Sequence, residues 1–413
     1  MRYRMTAAAL LALALGVRLF VAWTLPTRIE GDAAGYVQFA TNLLRRHVYS
    51  SDEQPPIRPT YERVPGYPLF LAAVRINETA ARVVQAIVDT MTCALAGAIA
   101  FAWTKRRRAF LIALFLAAIC PFTIDYVAFL LTETWMTFLV AAMVLALSAR
   151  RAEFLALAGL LGGIAAMVRL EGAAMFAAAA IFVIITERWR VWILLAAFAI
   201  VLLPWTIRNA TVFHTFQPLA PVHANMPEDF VPSGYTRWVQ TWVDDFQYVR
   251  EFEWSLDSSE IDITHAPPGA FDSPAERQRV AALFNKYNDD GEMTPALDAQ
   301  FGEIARERIA RNPLRFYVVL PIERASSMWR GFRWIYLLLG LAGAIALRKT
   351  KWLLLLALMI VPRMIGASML PNPEPRYMVE FFPLLSASAA AALAGTSADR
   401  LSGALRRFVP SRR

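Results

Sequence analysis

Long apolar runs separated by short basic clusters punctuate this chain, and that pattern leaves few folds open. Apolar runs fall at about 6–25, 79–103, 108–122, 127–147, 153–168, 172–186, 191–207, 333–347, 352–370 and 378–395. Runs of this length without charge are read as membrane helices, a full crossing needing about 20 residues. The expected fold is therefore an all-α polytopic membrane protein with about ten transmembrane helices. Several runs are shorter than a full crossing and must borrow flanking residues or tilt little. The composition agrees: 57% of the 413 residues are hydrophobic and 18% charged. Mean hydropathy is +0.41. The first run, interrupted only by Arg18, is long enough to be a retained signal-anchor rather than a cleaved leader.

The net charge of +9 is not a nucleic-acid signal, because the cations sit between apolar runs as topology signals do. The clusters MRYR, KRRR (105–108), ARR (149–151), ERWR (187–190), RKTK (348–351) and the basic tail all fall on one side. The positive-inside rule makes that side cytoplasmic. The segments 26–78, 208–332 and 371–377, with short turns near 123–126 and 169–171, then face the exterior, the periplasm if the membrane is a bacterial inner membrane. The segment 208–332 carries 18 of the 33 acidic residues but only 12 of the basic ones. It reads as an extracytoplasmic loop region full of turn chemistry, with an interfacial helix near 312–332. Three regions result: 1–207 with its external loop 26–78, the region 208–332, and 333–413 with the last three spans and the basic cytoplasmic tail. Cys93 and Cys120 lie in apolar runs and read as small core residues. His47, His214, His223 and His265 show no metal-site spacing.

Charges within or beside the runs share one side. Arg18, Asp89, Glu133 and Arg363 lie within them; Arg169, Glu171, Arg208, Arg376 and Glu380 lie at their ends. All fall in outer halves. A polar cavity opening outward accounts for Asp89 and Glu133, whose short carboxylates cannot reach the surface. Snorkelling of long side chains suits Arg18 and Arg208.

Six motifs lie on that outer side: Asp32, Tyr36 and Ala40 in the first loop; Pro65–Pro68 (PGYP); Thr132-Glu133; Arg169–Gly172 (RLEG); Pro204–Asn209 (PWTIRN); and Arg376-Tyr377. In this order they resemble the GT-C superfamily of membrane glycosyltransferases. The nearest branch is that of protein O-mannosyltransferases and the lipid A aminoarabinose transferase. The chain has Ala33 where many relatives have a second acidic residue, and Leu170 where they have proline. The resemblance implies a polyprenyl-phosphate-linked sugar donor, an acceptor that is a sugar, lipid or protein, no cofactor, and transfer with inversion.

Such a transfer needs a base for the acceptor, cations for the departing phosphate and a groove for the lipid. Asp32 follows Gly31 and opens a helical run with Tyr36, Phe39, Ala40, Leu43 and Leu44 on one side. The spacing alone fits an N-cap and a general base equally; the resemblance favours the base. For the phosphate the candidates are Arg376 and Arg63, then Arg58, Arg169 and Arg208, because guanidinium forks match phosphate oxygens. Pairing with local carboxylates, Arg169 with Glu171 and Arg376 with Glu374, is the competing assignment. Glu133 and Asp89 would orient the arginines, and Glu133 fits an interhelical hydrogen bond equally well. Tyr36, Glu171, Glu374 and Tyr377 complete the candidate substrate shell. No metal is expected; if one bound, Glu30 and Asp32 would be its ligands, and two carboxylates are few. Tyr235, Trp238, Trp242 and Trp254 could stack on a sugar or pack the loop. A transporter or lipid flippase with the same outward cavity is the alternative, but it should carry polar residues on the inner halves too. A non-catalytic subunit of a glycan-assembly complex would keep the fold without needing Asp32.

Overall fold

A computed structural model of the chain describes residues 2–408 apart from 150, 222, 223, 257 and 258, and side chains as far as residue 395. His223, Arg150 and the cations of the basic tail thus fall outside the described side chains. The described residues are helical with no strand, and they form two compact units.

The first unit comprises Met1–Met226, Arg333–Ile360 and Val379–Arg413. Its N-terminal helices are α1 (Arg2–Thr24), α2 (Asp32–Arg46), α3 (Gly66–Ala73), α4 (Glu78–Thr104), α5 (Arg107–Ala118), α6 (Pro121–Ile124), α7 (Glu133–Leu147), α8 (Ala152–Val168), α9 (Glu171–Glu187) and α10 (Val191–Phe213). Sequence explains the boundaries. Alanine and leucine dominate α1, which stops before Pro26. The Asn77 side chain accepts a hydrogen bond from the Ala80 N–H at 2.9 Å and so caps α4. α8 lies against both α9 and α10. Gly159 and Gly163 let α10 approach α8 closely, as small residues do between membrane helices.

The second unit comprises Pro227–Phe332 and Val361–Met378. It holds α11 (Ser233–Gln240), α12 (Phe246–Phe252), α13 (Pro274–Asp290), α14 (Pro295–Arg311) and α15 (Leu320–Met328). The stretches FDSP and EMTP, which read as turns, start helices. Ser273 and Thr294 are N-caps, each followed by proline at the first helical position. Trp238, Tyr235, Trp242, Phe252, Phe284 and Phe301 fill a common core and are buried. Three of the four aromatics considered for sugar stacking therefore pack the interior, and only Trp254 is exposed. The stretch expected to hold an interfacial helix is helical: a π-turn at Arg315–Val319 leads into α15, leaving Leu314, Tyr317, Val318 and Ile322 exposed.

The remaining helices are α16 (Arg333–Ala346), α17 (Lys351–Ser368), whose first part belongs to the first unit, and α18 (Phe382–Phe408), packed on α16. Each of the ten apolar runs thus carries a helix. By length and apolarity, five helical stretches qualify as membrane spans: Arg2–Thr24, Glu78–Thr104, Glu171–Phe213, Lys351–Ser368 and Pro375–Gly395. A sixth arises if Arg107–Ala118 and Pro121–Ala128, bent by 57°, count as one. The stretch Glu171–Phe213 is broken at Arg188–Arg190 and holds two helices, α9 and α10.

The structure corrects the expectation for Arg18. It does not snorkel but is fully buried, its Nε 2.6 Å from Asp89 Oδ2. Its other nitrogens donate to Ala14 O at 3.2 Å, Ala118 O at 3.0 Å and Ala117 O at 3.2 Å. The guanidinium thereby neutralises Asp89 and donates to carbonyls in the last turn of α5, of which Ala117 O also accepts from the Cys120 N–H.

Candidate functional site

The first external stretch is built around Gly31. Its φ of 53° lies in the left-handed region that favours glycine, and it occupies the N-cap position of α2. Asp32 is thus the first helical residue, not the cap. One turn on, Tyr36 lies on the same face of α2. The segment after α2 folds back onto it. Asn42 donates to Ser50 O and Asp52 O, both at 2.9 Å, and Gln38 donates to Asp52 O at 2.8 Å. The Tyr49 hydroxyl donates to Arg63 O and Val64 O, both at 3.1 Å.

These bonds deliver the Arg63 side chain to Asp32, Nη2 to Oδ1 at 2.9 Å. The Arg63 guanidinium also lies over the Tyr36 ring, 5.5 Å from its centroid. Tyr36 meets Tyr67 edge-on at 5.1 Å, and Tyr67 donates to Gln85 Oε1 at 2.8 Å. Burial lifts the Tyr36 phenol above its usual pKa, and the charge of Asp32 adds to the effect. Burial works against the charge on Arg63, but Asp32 and Tyr36 outweigh it and raise its pKa.

A second cluster comes from the turn between α8 and α9. Arg169 Nη1 lies 2.8 Å from Glu133 Oε1 and 3.3 Å from Thr132 Oγ1, and its Nε lies 3.1 Å from Glu171 Oε2. Tyr36 feels the charges of Arg169 and Glu133 as well as those of Asp32 and Arg63, so the two clusters share one neighbourhood. Glu380, buried, acts electrostatically on Arg169. Exposure divides the roles: the Asp32 and Arg63 side chains are 26% and 34% accessible, whereas Glu133 is 2% accessible. The first pair is open at the surface, and Glu133 holds Arg169 from below it.

Gly66 connects the clusters. A Cβ there would lie 2.4 Å from Met167 O and 2.9 Å from Val168 N, the residues leading into Arg169. Gly66→Ala should push α3 off α8 and lower stability by about 1–3 kcal/mol, read as a drop in the thermal midpoint of the purified chain.

The structure thus brings together Asp32, Tyr36, Arg63, Glu133, Arg169 and Glu171. The other candidates of the first unit have surroundings of their own. Asp89 is committed to Arg18. Arg208 donates to Thr60 O at 2.7 Å and lies 4.8 Å from the Trp205 ring centroid, where it steadies the loop that presents Arg63. The Arg58 side chain is exposed, and its backbone N–H donates to Asp52 Oδ2 at 2.6 Å. Glu30 is exposed. Among the described residues no three His, Cys, Asp or Glu side chains form a group that could hold a metal ion.

Glu374, Arg376 and Tyr377 form their own cluster in the second unit. Arg376 Nε lies 2.5 Å from Glu374 Oε2, and the Tyr377 hydroxyl donates to Glu374 Oε1 at 3.2 Å. Sequence reasoning missed Glu253, whose buried Oε2 has no hydrogen-bond partner among the described residues. Burial, reinforced by the charge of Glu374 and opposed by Arg376, raises its pKa to about 7. Since the folded-state value lies above the ordinary 4.5, its favourable contribution is complete below pH 4.5 and lost as pH rises through 7. Glu253→Gln should therefore stabilise the chain at pH 8 by about 1–2 kcal/mol, partial solvent access included, with the gain vanishing near pH 4.5. Thermal unfolding across that range reads the difference. Glu253 carries no sequence signal beyond being acidic; its environment comes from residues 374–376, far along the chain. Glu380 and Gln85 were visible only as polar residues in or beside apolar runs.

No protein-family model and no curated protein matches the chain. Solved structures do. The archaeal oligosaccharyltransferase AglB from Archaeoglobus fulgidus, in complex with an inhibitory peptide and a dolichol-phosphate, superposes with a TM-score of 0.52 at 15% identity. The match covers 98% of this chain and 52% of that one. The same organism's oligosaccharyltransferase tethered to an acceptor peptide gives a TM-score of 0.53 at 14% identity over 96% of this chain and 50% of that one. ArnT from Cupriavidus metallidurans bound to undecaprenyl phosphate gives 0.43 at 14% identity, covering 94% of this chain and 76% of that one. The chain shares its fold with the two oligosaccharyltransferase structures. It spans about half the length of the oligosaccharyltransferase chains it matches.

Proposed function

We propose that this chain is a membrane glycosyltransferase that moves a sugar from a polyprenyl-phosphate donor to a sugar, lipid or protein acceptor. The observation that carries the proposal is the accessible Asp32–Arg63 pair above Tyr36, in one neighbourhood with Arg169 and Glu133. The shared fold supports it, as does the dolichol-phosphate bound to the archaeal oligosaccharyltransferase. The reading further takes all ten apolar helices as spans, with Asp32 on the exterior or periplasmic side of a bacterial inner membrane.

In the proposed step the Asp32 carboxylate takes the proton of the acceptor hydroxyl as its oxygen attacks the anomeric carbon. The bond from that carbon to the phosphate oxygen breaks, and the phosphate leaves with the electron pair. Arg63 has five N–H donors, enough to hold Asp32 and still meet a phosphate oxygen. Arg169, steadied by Glu133 and Glu171, supplies a second cation. A single displacement inverts the anomeric centre.

The test is transfer of label from a panel of polyprenyl-phosphate sugars into acceptors in membranes containing the chain. Label should move with the native chain and not with Asp32→Asn. Absence of transfer from every donor in the panel sinks the enzyme reading and favours a transporter or assembly subunit. Undiminished transfer by the variant removes Asp32 as base.

A further inference from the structure

A groove of about 740 Å³ in the first unit plays no part in the reaction proposed above. It is lined by α1, α4, α5, α7 and α8, with Leu95, Phe101, Leu145 and Leu157 among its apolar side chains and Ala98 and Ala142 leaving it hollow. It lies at the opposite end of these helices from Asp32. It takes in the start of α1, the end of α4, the end of α7 and the first half of α8, whereas Asp32 follows α1, Glu133 opens α7 and Arg169 follows α8.

Two cations complete it. Lys105 and Arg107 line the groove and are exposed. Among the described residues neither forms an ion pair with a carboxylate; Arg107 lies over the Tyr3 ring, 5.8 Å from its centroid. An apolar groove in the flank of a membrane-embedded bundle is a seat for an acyl chain. Cations at its rim then select the headgroup. A zwitterionic headgroup brings its own positive charge, which Lys105 and Arg107 repel; an anionic one does not.

We propose that this groove binds one phospholipid with an anionic headgroup, its acyl chain along Leu95, Phe101, Leu145 and Leu157 and its phosphate on Lys105 and Arg107. The site is separate from any polyprenyl-phosphate site beside Asp32 and holds whether or not the chain is a transferase.

The full-length chain is reconstituted in nanodiscs of phosphatidylcholine with a minority of phosphatidylglycerol. It is then stripped in detergent, and retained lipids are counted by native mass spectrometry. The native chain should keep one phosphatidylglycerol in preference to phosphatidylcholine. Lys105→Gln with Arg107→Gln should lower that preference about five-fold per charge, about 25-fold together. Ala98→Phe, which fills the groove and leaves both charges, should abolish retention. Arg348→Gln with Lys349→Gln removes two exposed cations from another basic cluster and should change nothing. An equal loss in that pair would reduce the effect to general surface charge and overturn the site. So would retention surviving Ala98→Phe. All four replaced cations are exposed, and the thermal midpoint of each variant checks its fold.

Discussion

Asp32→Asn is expected to lower sugar transfer by about two to four orders of magnitude, the usual worth of a general base. The same change should leave the chain folded. Gly31 holds the N-cap position, so no helix cap is lost with the Asp32 side chain. The pair with Arg63 is partly exposed on both sides, and such pairs contribute about 0–1 kcal/mol. An acidic residue in the first turn of a helix adds about 0.3–1 kcal/mol through the dipole, and asparagine forfeits it. A large loss of rate with a small loss of stability separates a base from a structural carboxylate. Arg63→Ala supplies the contrast. It removes a phosphate ligand together with the cation over Tyr36, so the KM for the donor should rise as kcat falls. If Asp32→Asn instead unfolded the chain to the same degree that it reduced transfer, Asp32 would be a structural residue and the proposed role would fall.

The sequence carried the helices more clearly than the contacts between them. Each of the ten apolar runs marked a helix, because each run must bury or face lipid along its length, whereas α2 and α3 of the first unit lie outside the runs. Asp32 and Tyr36 could be paired by eye, since four residues make one turn. Arg63 could not be assigned to Asp32 by spacing. Its position depends on Asn42, Gln38 and Tyr49 pinning the intervening segment, bonds made to backbone carbonyls that no residue pattern advertises. Ser273-Pro274 and Thr294-Pro295 read as turns because the same residue types serve turns and helix starts. The spacing of Val280, Leu283, Phe284 and Tyr287 is the helical signal in α13, and all four are buried. Asp89 drew attention as a carboxylate deep in a span, a feature that usually marks function. Its partner lies 71 residues earlier, and only the packing of α1 on α4 brings the two together.

That partner makes a double-variant test decisive. Asp89→Ala should destabilise the chain by about 3–5 kcal/mol, because it leaves Arg18 charged and without its counter-ion in a buried site. Arg18→Ala should cost a similar amount, with the added loss of the donors to Ala117 O and Ala118 O. Replacing both together, Arg18→Leu with Asp89→Leu, removes the two charges at once and fills the space with apolar volume. A buried ion pair exchanged for packed apolar side chains is often close to neutral. The double variant should therefore recover most of the stability that either single change loses, and the cycle should show strong coupling. Thermal unfolding of the purified chain in detergent, with Arg18→Leu and Asp89→Leu as the two single variants, gives all four corners of the cycle. Additive losses would mean that Arg18 and Asp89 are stabilised by separate partners. Sugar transfer supplies an independent reading on the same variants, since Asp89 lies with Arg18 and not beside Asp32. The double variant should then keep its transfer activity, whereas Asp32→Asn keeps its stability and loses transfer.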